Sequence, residues 1–356
     1  MKSIRLLLFL LATTPAWPAS AEPMAGRPAP THDFYICAAT NRNYVVGSVI
    51  VTINGVFRHE ANGDWLHLGN NDTTISALSF DPRDHGVFYL AAINGCWRTL
   101  DGGATWRCTT DWDVTEPKDV CVDPNAPDHV YLALPDGIIV TADRGNTWTR
   151  MENGLPDRGK YTQAIAVDRT QAGRVLAGCE TGIYLTENAA QSWRRVFPTK
   201  DTISDLEQSP ADPKLWVAVT QSAGALISRD GGLTWQTMTG VPSEKALYNI
   251  TFDATNPSRL AISSWNYGVL TSEDGGATWT DRNAGLPGLK AGFRMPSDPP
   301  PHCVWRVGVD PDSGRLYASV VGEALYSSDD FGRSWKNAGL DGSQVNRFVF
   351  LPRAAK

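Results

Sequence analysis

Four aspartates have the residue type that cleavage of a glycosidic bond needs. That reaction uses two carboxyl groups on either side of the scissile bond, roughly 5 to 9.5 Å apart, with one of them kept protonated. Asp111 and Asp113 precede one group of short apolar runs, whereas Asp136 and Asp157 come within and after that group. If the chain is an enzyme, we predict a catalytic pair that combines Asp111 or Asp113 with Asp136 or Asp157.

Aromatic residues mixed with arginine, amide and carboxylate side chains form a second chemical signal. Apolar sugar faces stack on aromatic rings and sugar hydroxyls take polar partners, so this mixture suits carbohydrate binding. The arginines also form a candidate anion-binding cluster. The alternative is that the rings pack inside the fold and the polar residues are merely solvated. The predicted ligand-binding residues are Arg42, Tyr44, Trp112, Tyr161, Glu180, Trp265, Tyr267, Arg294, Trp305, Arg306 and Arg347.

Signatures of metals, cofactors and nucleophiles are missing from the sequence. The six histidines are scattered, with no ligand pair at a useful spacing, so we predict no metal site. The sequence also lacks a glycine-rich phosphate loop before a helix and a nucleophile elbow around a serine. We therefore predict no cofactor.

An eight-residue pattern, S/T-x-D-x-G-x-T/S-W, returns along the chain. Clear copies end at Trp106, Trp148, Trp235, Trp279 and Trp335. A sixth copy has Asn188 for the aspartate and Ala190 for the glycine, and a seventh, ending at Trp65, retains little beyond Gly63 and the tryptophan. Successive tryptophans are 41 to 45 residues apart, except for one step of 56 residues. The chain therefore contains seven units, one of which carries an insertion.

Each unit also has the strand pattern of a propeller blade. An apolar run closed by an aspartate, such as Val122-Asp123-Pro124, is followed by a β-rich run, a glycine turn, another strand, the eight-residue pattern and a last strand. Four short strands per roughly 42 residues, with little helical periodicity, are typical of propellers. We predict an all-β fold: a single seven-bladed β-propeller of four-stranded antiparallel blades over 33–352, with an insertion at 283–302 before blade seven.

The two ends of this region are predicted to share blade one. The first unit begins with Phe34-Tyr35-Ile36-Cys37, which matches a second strand, so its innermost strand is missing there. The run 345–352 matches an innermost strand. We predict that this C-terminal strand closes blade one and removes a free sheet edge, leaving 353–356 as a tail.

The aspartates of the repeated pattern are predicted to be structural rather than catalytic. In a tight turn a carboxylate can accept unpaired backbone N–H groups, while glycine takes a backbone conformation closed to other residues. The indole can fill the space between neighbouring blades. These aspartates are Asp101, Asp143, Asp230, Asp274 and Asp330.

On these motifs the chain resembles the Asp-box, or BNR, repeat propellers. That superfamily includes sialidases, xyloglucanase-type glycoside hydrolases, sortilin-like receptors and photosystem II assembly factors, so the resemblance is specific for fold and not for function. It implies that the Asp boxes lie on the face away from the ligand site. The Arg-Ile-Pro motif of sialidases is absent here. Xyloglucanase relatives cleave between two propellers, whereas this sequence predicts one.

The strand order predicts which loops carry a site. Loops from the second to the third strand, and from the fourth strand to the next blade, must lie opposite the Asp boxes, and we expect any site there. Aromatic and carboxylate residues in these loops favour binding, and possible hydrolysis, of a carbohydrate. The missing catalytic signature favours the alternative, a non-catalytic protein-interaction or assembly propeller whose partner is an envelope or extracellular protein.

Residues 1–21 resemble a secretory signal peptide. Lys2 and Arg5 precede an apolar run, and Ala19-Ser20-Ala21 supplies a small-residue cleavage site. We expect cleavage after Ala21, a linker over 22–32 and a secreted or periplasmic monomer without membrane insertion. Cleavage would change the net charge from -6 to -8, leaving 30 basic against 38 acidic residues. This charge argues against nucleic acid as a partner.

Six cysteines are compatible with disulfides in an exported chain. Cys96 and Cys108 flank one predicted hairpin turn almost symmetrically, which predicts a disulfide between them. The sequence does not define how the other cysteines pair. These are Cys37, Cys121, Cys179 and Cys303.

Overall fold

A computed structural model of the chain describes residues 30–40, 43–46, 49–72, 74–288 and 302–353, with backbone positions alone for 43–46 and 49–52. Several sequence predictions lie outside these described residues. They are the signal peptide at 1–21, most of the linker, Arg42, Arg294, most of the insertion at 283–302 and tail residues 354–356.

The described strands form seven four-stranded antiparallel sheets and one two-stranded hairpin. The described residues contain no α-helix. Blades one to three contain β1 (His32–Ala39), β4 (Gly55–His59), β5 (Trp65–His67) and β30 (Gln344–Pro352); β6 (Ala77–Asp81), β7 (Asp84–Ala92), β8 (Gly95–Thr99) and β9 (Arg107–Cys108); β10 (Asp119–Val122), β11 (Val130–Leu134), β12 (Gly137–Thr141) and β13 (Thr149–Arg150). The hairpin is β2 (Asn43–Val46) and β3 (Val49–Thr52), within the connection from β1 to β4.

Blades four to seven follow the same plan. They contain β14 (Thr162–Val167), β15 (Val175–Cys179), β16 (Gly182–Thr186) and β17 (Arg194–Pro198); β18 (Ile203–Gln208), β19 (Trp216–Thr220), β20 (Ala225–Ser228) and β21 (Gln236–Thr237); β22 (Leu247–Phe252), β23 (Leu260–Ser264), β24 (Gly268–Ser272) and β25 (Thr280–Asp281); β26 (Val304–Val309), β27 (Leu316–Val320), β28 (Ala324–Ser328) and β29 (Lys336–Asn337). The predicted seven-bladed propeller is confirmed.

The innermost strands form a closed circle. Each one contacts the innermost strand of both neighbouring blades, in the order β30, β6, β10, β14, β18, β22, β26 and back to β30. In blade one β30 pairs with β1 along its length, from His32 opposite Pro352 to Ala39 opposite Gln344. The predicted closure of blade one by the C-terminal strand is therefore confirmed.

The core lies between the blades, because each sheet is covered by a neighbour on both faces. The second and third strands consequently read as apolar runs without alternation. All five residues of β11 and of β19 are buried, and Trp216 is among the fully buried side chains. The hydrophobic clusters join strands of adjacent blades, as where Tyr89 of blade two packs with Leu132 of blade three.

Each Asp box holds its turn through a short hydrogen-bond network. In blade three the Asp143 carboxylate accepts from the hydroxyl groups of Thr141 and Thr147, each at 2.7 Å. Gly145, with φ 81°, donates its N–H to the same Thr141 hydroxyl. The indole N–H of Trp148 reaches Thr109 in the preceding blade at 3.3 Å. These contacts account for every residue type in the repeated pattern.

Backbone hydrogen bonds separate the loops onto two faces. On the box face, Asp boxes bond to the first turn of their own blade, as from Arg144 N to Asp128 O at 3.0 Å. On the loop face, the turn between the second and third strands bonds to the incoming connection, as from Glu180 N to Tyr161 O at 3.0 Å. None of the described residues forms a helix that is long and apolar enough to cross a membrane.

The predicted disulfide between Cys96 and Cys108 is wrong, since both residues are free thiols. Cys108 lies opposite Trp97 and not opposite Cys96, so the two sulfur atoms project from opposite faces of the sheet. Cys96 packs in the core between blades two and three, and burial raises the pKa of its thiol to about 12. The other four cysteines are also free.

Removing the closing strand tests the ring. Deleting residues 343–356 removes β30 and leaves Phe34 without Phe350, whose ring centroid lies 4.6 Å away. We expect no cooperative thermal transition by circular dichroism, because an open inner edge and unpartnered aromatic rings face water. Deleting only 354–356 is the control and should leave the transition unchanged. A chain lacking 343–356 that still unfolds cooperatively would contradict the closure.

Acid titration tests the Asp box. Hydrogen bonds, led by that from Thr141, lower the pKa of Asp143 from 3.8 to about 2. Its stabilising contribution is therefore present above about pH 3.8 and is lost as the pH falls through about 2. We expect Asp143→Ala to lower the melting temperature at pH 7 by a few degrees. Asp143→Asn should lower the melting temperature less, because the amide oxygen of Asn188 accepts a backbone N–H in the equivalent turn of blade four.

Measuring both proteins at several pH values isolates the contribution of the carboxylate charge. The difference in melting temperature between the wild type and Asp143→Asn should narrow as the pH falls towards 2. A difference that stays constant from pH 7 to pH 3 would show that the carboxylate charge contributes nothing to stability.

Candidate functional site

The four predicted catalytic aspartates belong to loops of the loop face. Asp111 and Asp113 lie between β9 and β10, Asp136 between β11 and β12, and Asp157 between β13 and β14. All four side chains are exposed, and Asp136 accepts from Arg150 at 2.6 Å. The acid of glycoside hydrolysis is usually a carboxyl group in an apolar pocket. The structure brings these aspartates to one face, but as exposed side chains.

Two of the predicted ligand-binding residues belong to one polar group on blades three and four. The Tyr161 hydroxyl donates to Gln163 at 2.6 Å, and the Tyr161 N–H donates to the Glu180 carboxylate at 3.3 Å. Lys118 places its ammonium 5.8 Å from the centroid of the Tyr161 ring. Burial, followed by the nearby glutamates, raises the pKa of Tyr161. Trp112, by contrast, is 91% exposed.

Two other predicted residues meet in an aromatic trio on blades six and seven. The rings of Tyr248 and Trp305 lie 4.4 Å apart, and Trp265 meets Tyr248 edge to face at 6.2 Å. All three rings are partly buried. Tyr267 is separate from this trio, because it packs with the core between blades five and six. Tyr44 lies in β2, where the structure describes the backbone alone.

A ring of seven equivalent residues surrounds the central axis, one from each innermost strand. In blades one and four to seven, the residue directly follows a β-bulge of the innermost strand. In blades two and three, it directly follows a residue whose backbone N–H donates to the second strand. From blade one to blade seven, this axial ring is Arg347, Ala77, Asp119, Ala164, Asp205, Asn249 and Arg306. It contains two arginines on adjacent blades and two aspartates across the axis from them.

The acidic and amide members of the axial ring fasten adjacent blades together. Asp119 accepts from the Ile165 N–H at 3.1 Å, and Asp205 from the Ile250 N–H at 3.2 Å. Asn249 makes the corresponding bond to the next blade, accepting from Val307 N at 2.9 Å. Innermost strands have one edge without a strand partner, so these side chains satisfy N–H groups that would otherwise be unpaired.

The two predicted arginines are held by these same carboxylates. A guanidinium nitrogen of Arg347 lies 3.8 Å from a carboxylate oxygen of Asp119, and one of Arg306 lies 3.9 Å from a carboxylate oxygen of Asp205. Arg306 also donates to the backbone oxygens of Asn346 and Tyr248 at 3.0 and 3.1 Å. Burial lowers the pKa of Arg306. Burial opposes the charge of Arg347 as well, but Asp119 and Asp205 outweigh it and raise its pKa.

Glu207 lies two residues after Asp205 on the same innermost strand and therefore on the same side. Burial, and then the charge of Asp205, raise the pKa of Glu207 to about 8. Its carboxylate makes long contacts of 3.5 Å to the Thr251 hydroxyl and 3.4 Å to the Phe252 N–H. Glu207 is thus a carboxyl group that holds its proton near neutral pH.

The residues that complete this site are absent from the predicted ligand-binding set. Asp119, Asp205, Glu207 and Tyr248 belong to innermost strands rather than loops. The available signal is a charged or large polar residue at a strand position where other blades have alanine. No group of three or more possible metal ligands occurs among the described residues.

A family model describing the photosynthesis system II assembly factor YCF48 matches residues 59–226. A crystal structure of the GH74 xyloglucanase from Xanthomonas campestris has a TM-score of 0.65 at 18% sequence identity, covering 86% of this chain and 56% of that chain. The structure described as YCF48 bound to D1 peptide has a TM-score of 0.55 at 20% identity, covering 74% of this chain and 81% of that chain.

A curated relative is the oligoxyloglucan-reducing end-specific xyloglucanase of Emericella nidulans. The two sequences are 24% identical over 315 residues, which is 80% of this chain and 38% of that enzyme. This chain therefore spans well under half the length of that relative. At these identities the solved structures bear on the fold alone.

The axial cluster predicts an alkaline loss of stability. Glu207 has a folded pKa of about 8 against 4.5 ordinarily, so the native state retains a proton that the unfolded chain releases. Stability should be complete below about pH 4.5 and fall as the pH rises through about 8. We expect Glu207→Gln to reduce the drop in melting temperature between pH 6 and pH 9. Glu244→Gln, at an exposed site, is the control. Equal drops in Glu207→Gln and wild type would contradict this prediction.

Proposed function

The chain belongs to the Asp-box (BNR) repeat propellers, and we propose that it binds a carbohydrate on the loop face, beside the mouth of the central axis. The observation that carries the proposal is the aromatic trio of Tyr248, Trp265 and Trp305, whose rings remain partly exposed next to the axial ring. Arg306 links the two features, because it donates to the backbone oxygen of Tyr248.

The trio has the chemistry that sugar recognition requires. Apolar faces of a sugar ring stack on aromatic rings, and its hydroxyls pair with charged or amide side chains. Blades three and four supply such groups in Lys118, Gln163 and Glu180, gathered around the partly buried Tyr161. A ligand that spans the mouth would meet rings on one side and polar partners on the other.

Binding is better supported than hydrolysis. Some relatives are named as xyloglucanases, but this chain spans only part of their length. The predicted pair from Asp111 or Asp113 with Asp136 or Asp157 consists of exposed carboxylates. Hydrolysis therefore remains a separate hypothesis. The test is to replace each of these four aspartates with asparagine. If every variant cleaves glycans as the wild type does, the hydrolysis hypothesis is wrong.

A protein-binding role is the second candidate. The match of residues 59–226 to an assembly-factor family model favours it. The mouth of the axis also suits an extended peptide, since arginines and rings recognise carboxylates and apolar side chains.

We further propose export of the chain, on the basis of the signal-peptide pattern at 1–21.

A glycan array followed by variants tests the principal proposal. We expect the wild type to bind at least one glycan, and Trp305→Ala to weaken that binding by roughly tenfold or more through loss of stacking. Leu100→Ala, an exposed apolar residue on the box face, is the matched control. Melting temperatures confirm that both variants fold.

The outcomes separate the two candidates. A reducing-end assay on each bound glycan shows whether cleavage follows binding. No glycan binding, together with capture of an envelope or extracellular protein that depends on Trp305, would replace the carbohydrate proposal with the protein-binding one. Glycan binding unaffected by Trp305→Ala would overturn the proposed location.

A further inference from the structure

A groove of about 570 Å³ lies between blade seven and blade one, away from the axial mouth. Its lining combines residues of β1, β4 and β5 with residues of β27, β28 and β29. The groove thus follows the seam at which the ring closes. We call it the seam groove.

The seam groove arises where the repeated pattern is lost. In blade one the third and fourth strands continue directly into a hairpin, with His59 opposite Trp65 and Glu60 N bonded to Asp64 O at 2.8 Å. Asn62 and Gly63 form the turn instead of an Asp box. Trp65 is consequently fixed within the strand pairing, and its orientation is not set by a box network.

Trp65 differs from the other blade tryptophans in its indole N–H. In the other blades this N–H donates to a backbone carbonyl or a threonine hydroxyl. The donors are Trp106, Trp148, Trp193, Trp235, Trp279 and Trp335. Among the described residues the Trp65 N–H has no acceptor. A donor on the wall of an open groove is available to a ligand.

Aromatic rings form the floor of the seam groove. The ring centroid of Phe34 lies 5.2 Å from that of Trp65 and 5.0 Å from that of Tyr317. His59 meets Trp65 edge to face, with ring centroids 4.9 Å apart. Phe34, Trp65 and Tyr317 are all partly buried, so they keep some ring surface within the groove. Such a surface suits the apolar face of a sugar ring.

Exposed carboxylates and amides form the rim. Asp64 accepts from Asn62 at 2.7 Å, and Asp341 accepts from Asn337 at 2.8 Å. Each carboxylate keeps further lone pairs for sugar hydroxyls. The charged lining residues nearly balance, with Asp64, Asp329 and Asp341 against Arg315 and Lys336. A balanced rim favours a neutral ligand over an anionic one.

We propose that the seam groove is a carbohydrate site, distinct from the axial mouth, that takes a neutral oligosaccharide. A sugar residue stacks on Trp65, the indole N–H donates to a ring or hydroxyl oxygen, and Asp64 and Asp341 accept from hydroxyl groups. The site lies on the seam between two blades, beside the turn that replaces the Asp box of blade one.

Indole NMR of the folded chain tests this proposal directly. The probes are four neutral pentasaccharides: of glucose in α-1,4 linkage, of glucose in β-1,4 linkage, of mannose, and of N-acetylglucosamine. We expect at least one to shift the Trp65 indole N–H resonance, identified by its absence in Trp65→Phe. The Trp106 resonance is the internal control, because Leu68 O already accepts from that N–H at 3.2 Å.

Variants define the contribution of each group. Trp65→Phe keeps an aromatic ring for packing, and its melting temperature shows whether the seam is intact. We expect it to weaken binding by roughly tenfold through loss of one hydrogen bond. Asp64→Asn should also weaken binding, and Trp106→Phe should not. No shift with any of the four probes, or affinity unchanged in both Trp65→Phe and Asp64→Asn, would overturn the proposal.

The same experiment distinguishes the two carbohydrate sites. If both sites bind, each variant should lose only the binding at its own site, and the Trp65 indole shift should persist in Trp305→Ala. Binding lost in Trp305→Ala and fully retained in Trp65→Phe would overturn the seam site, and the reverse pattern would overturn the axial one.

Discussion

The pairing of β30 with β1 closes the ring of blades. It joins the two ends of the described propeller into one sheet and completes the circle of innermost strands. It also brings Arg347, from the C-terminal strand, into the axial ring opposite Asp119. The axial cluster and the closed fold therefore require the same strand, and loss of the pairing would remove both.

The polar residues of the axial ring hold neighbouring blades together. Asp119 and Asp205 satisfy free N–H groups of the next blade, and each also faces an arginine. Burial raises the pKa of Asp205 and of Glu207, which lies two residues further along the same strand, so the centre of the molecule carries protonatable groups. A ligand at the mouth would meet a polar axis that is already held in place by inter-blade hydrogen bonds.

The sequence predicts the fold far better than the site. Box spacing and the strand-like run at 345–352 suffice for the blade number and the closure, because both follow from local repeats. Whether Cys96 and Cys108 meet depends on a register difference of one residue, which flips a side chain to the other face of a strand. Glu207 and Tyr248 lie in strands with no loop signal, and their roles depend on which residues other blades bring to the axis. The repeats define the blades, whereas the side chains that meet at the axis come from different blades and follow no local motif.

Native-state hydrogen exchange of the 344–352 segment measures whether β30 closes the ring. If β30 is an integral strand of blade one, its amides should be protected to the same extent as those of β1 and should exchange only with global unfolding. Rapid exchange of 344–352 in a protein whose other blades remain protected would show that the ring is not closed by this strand, and would contradict the account of the axial site.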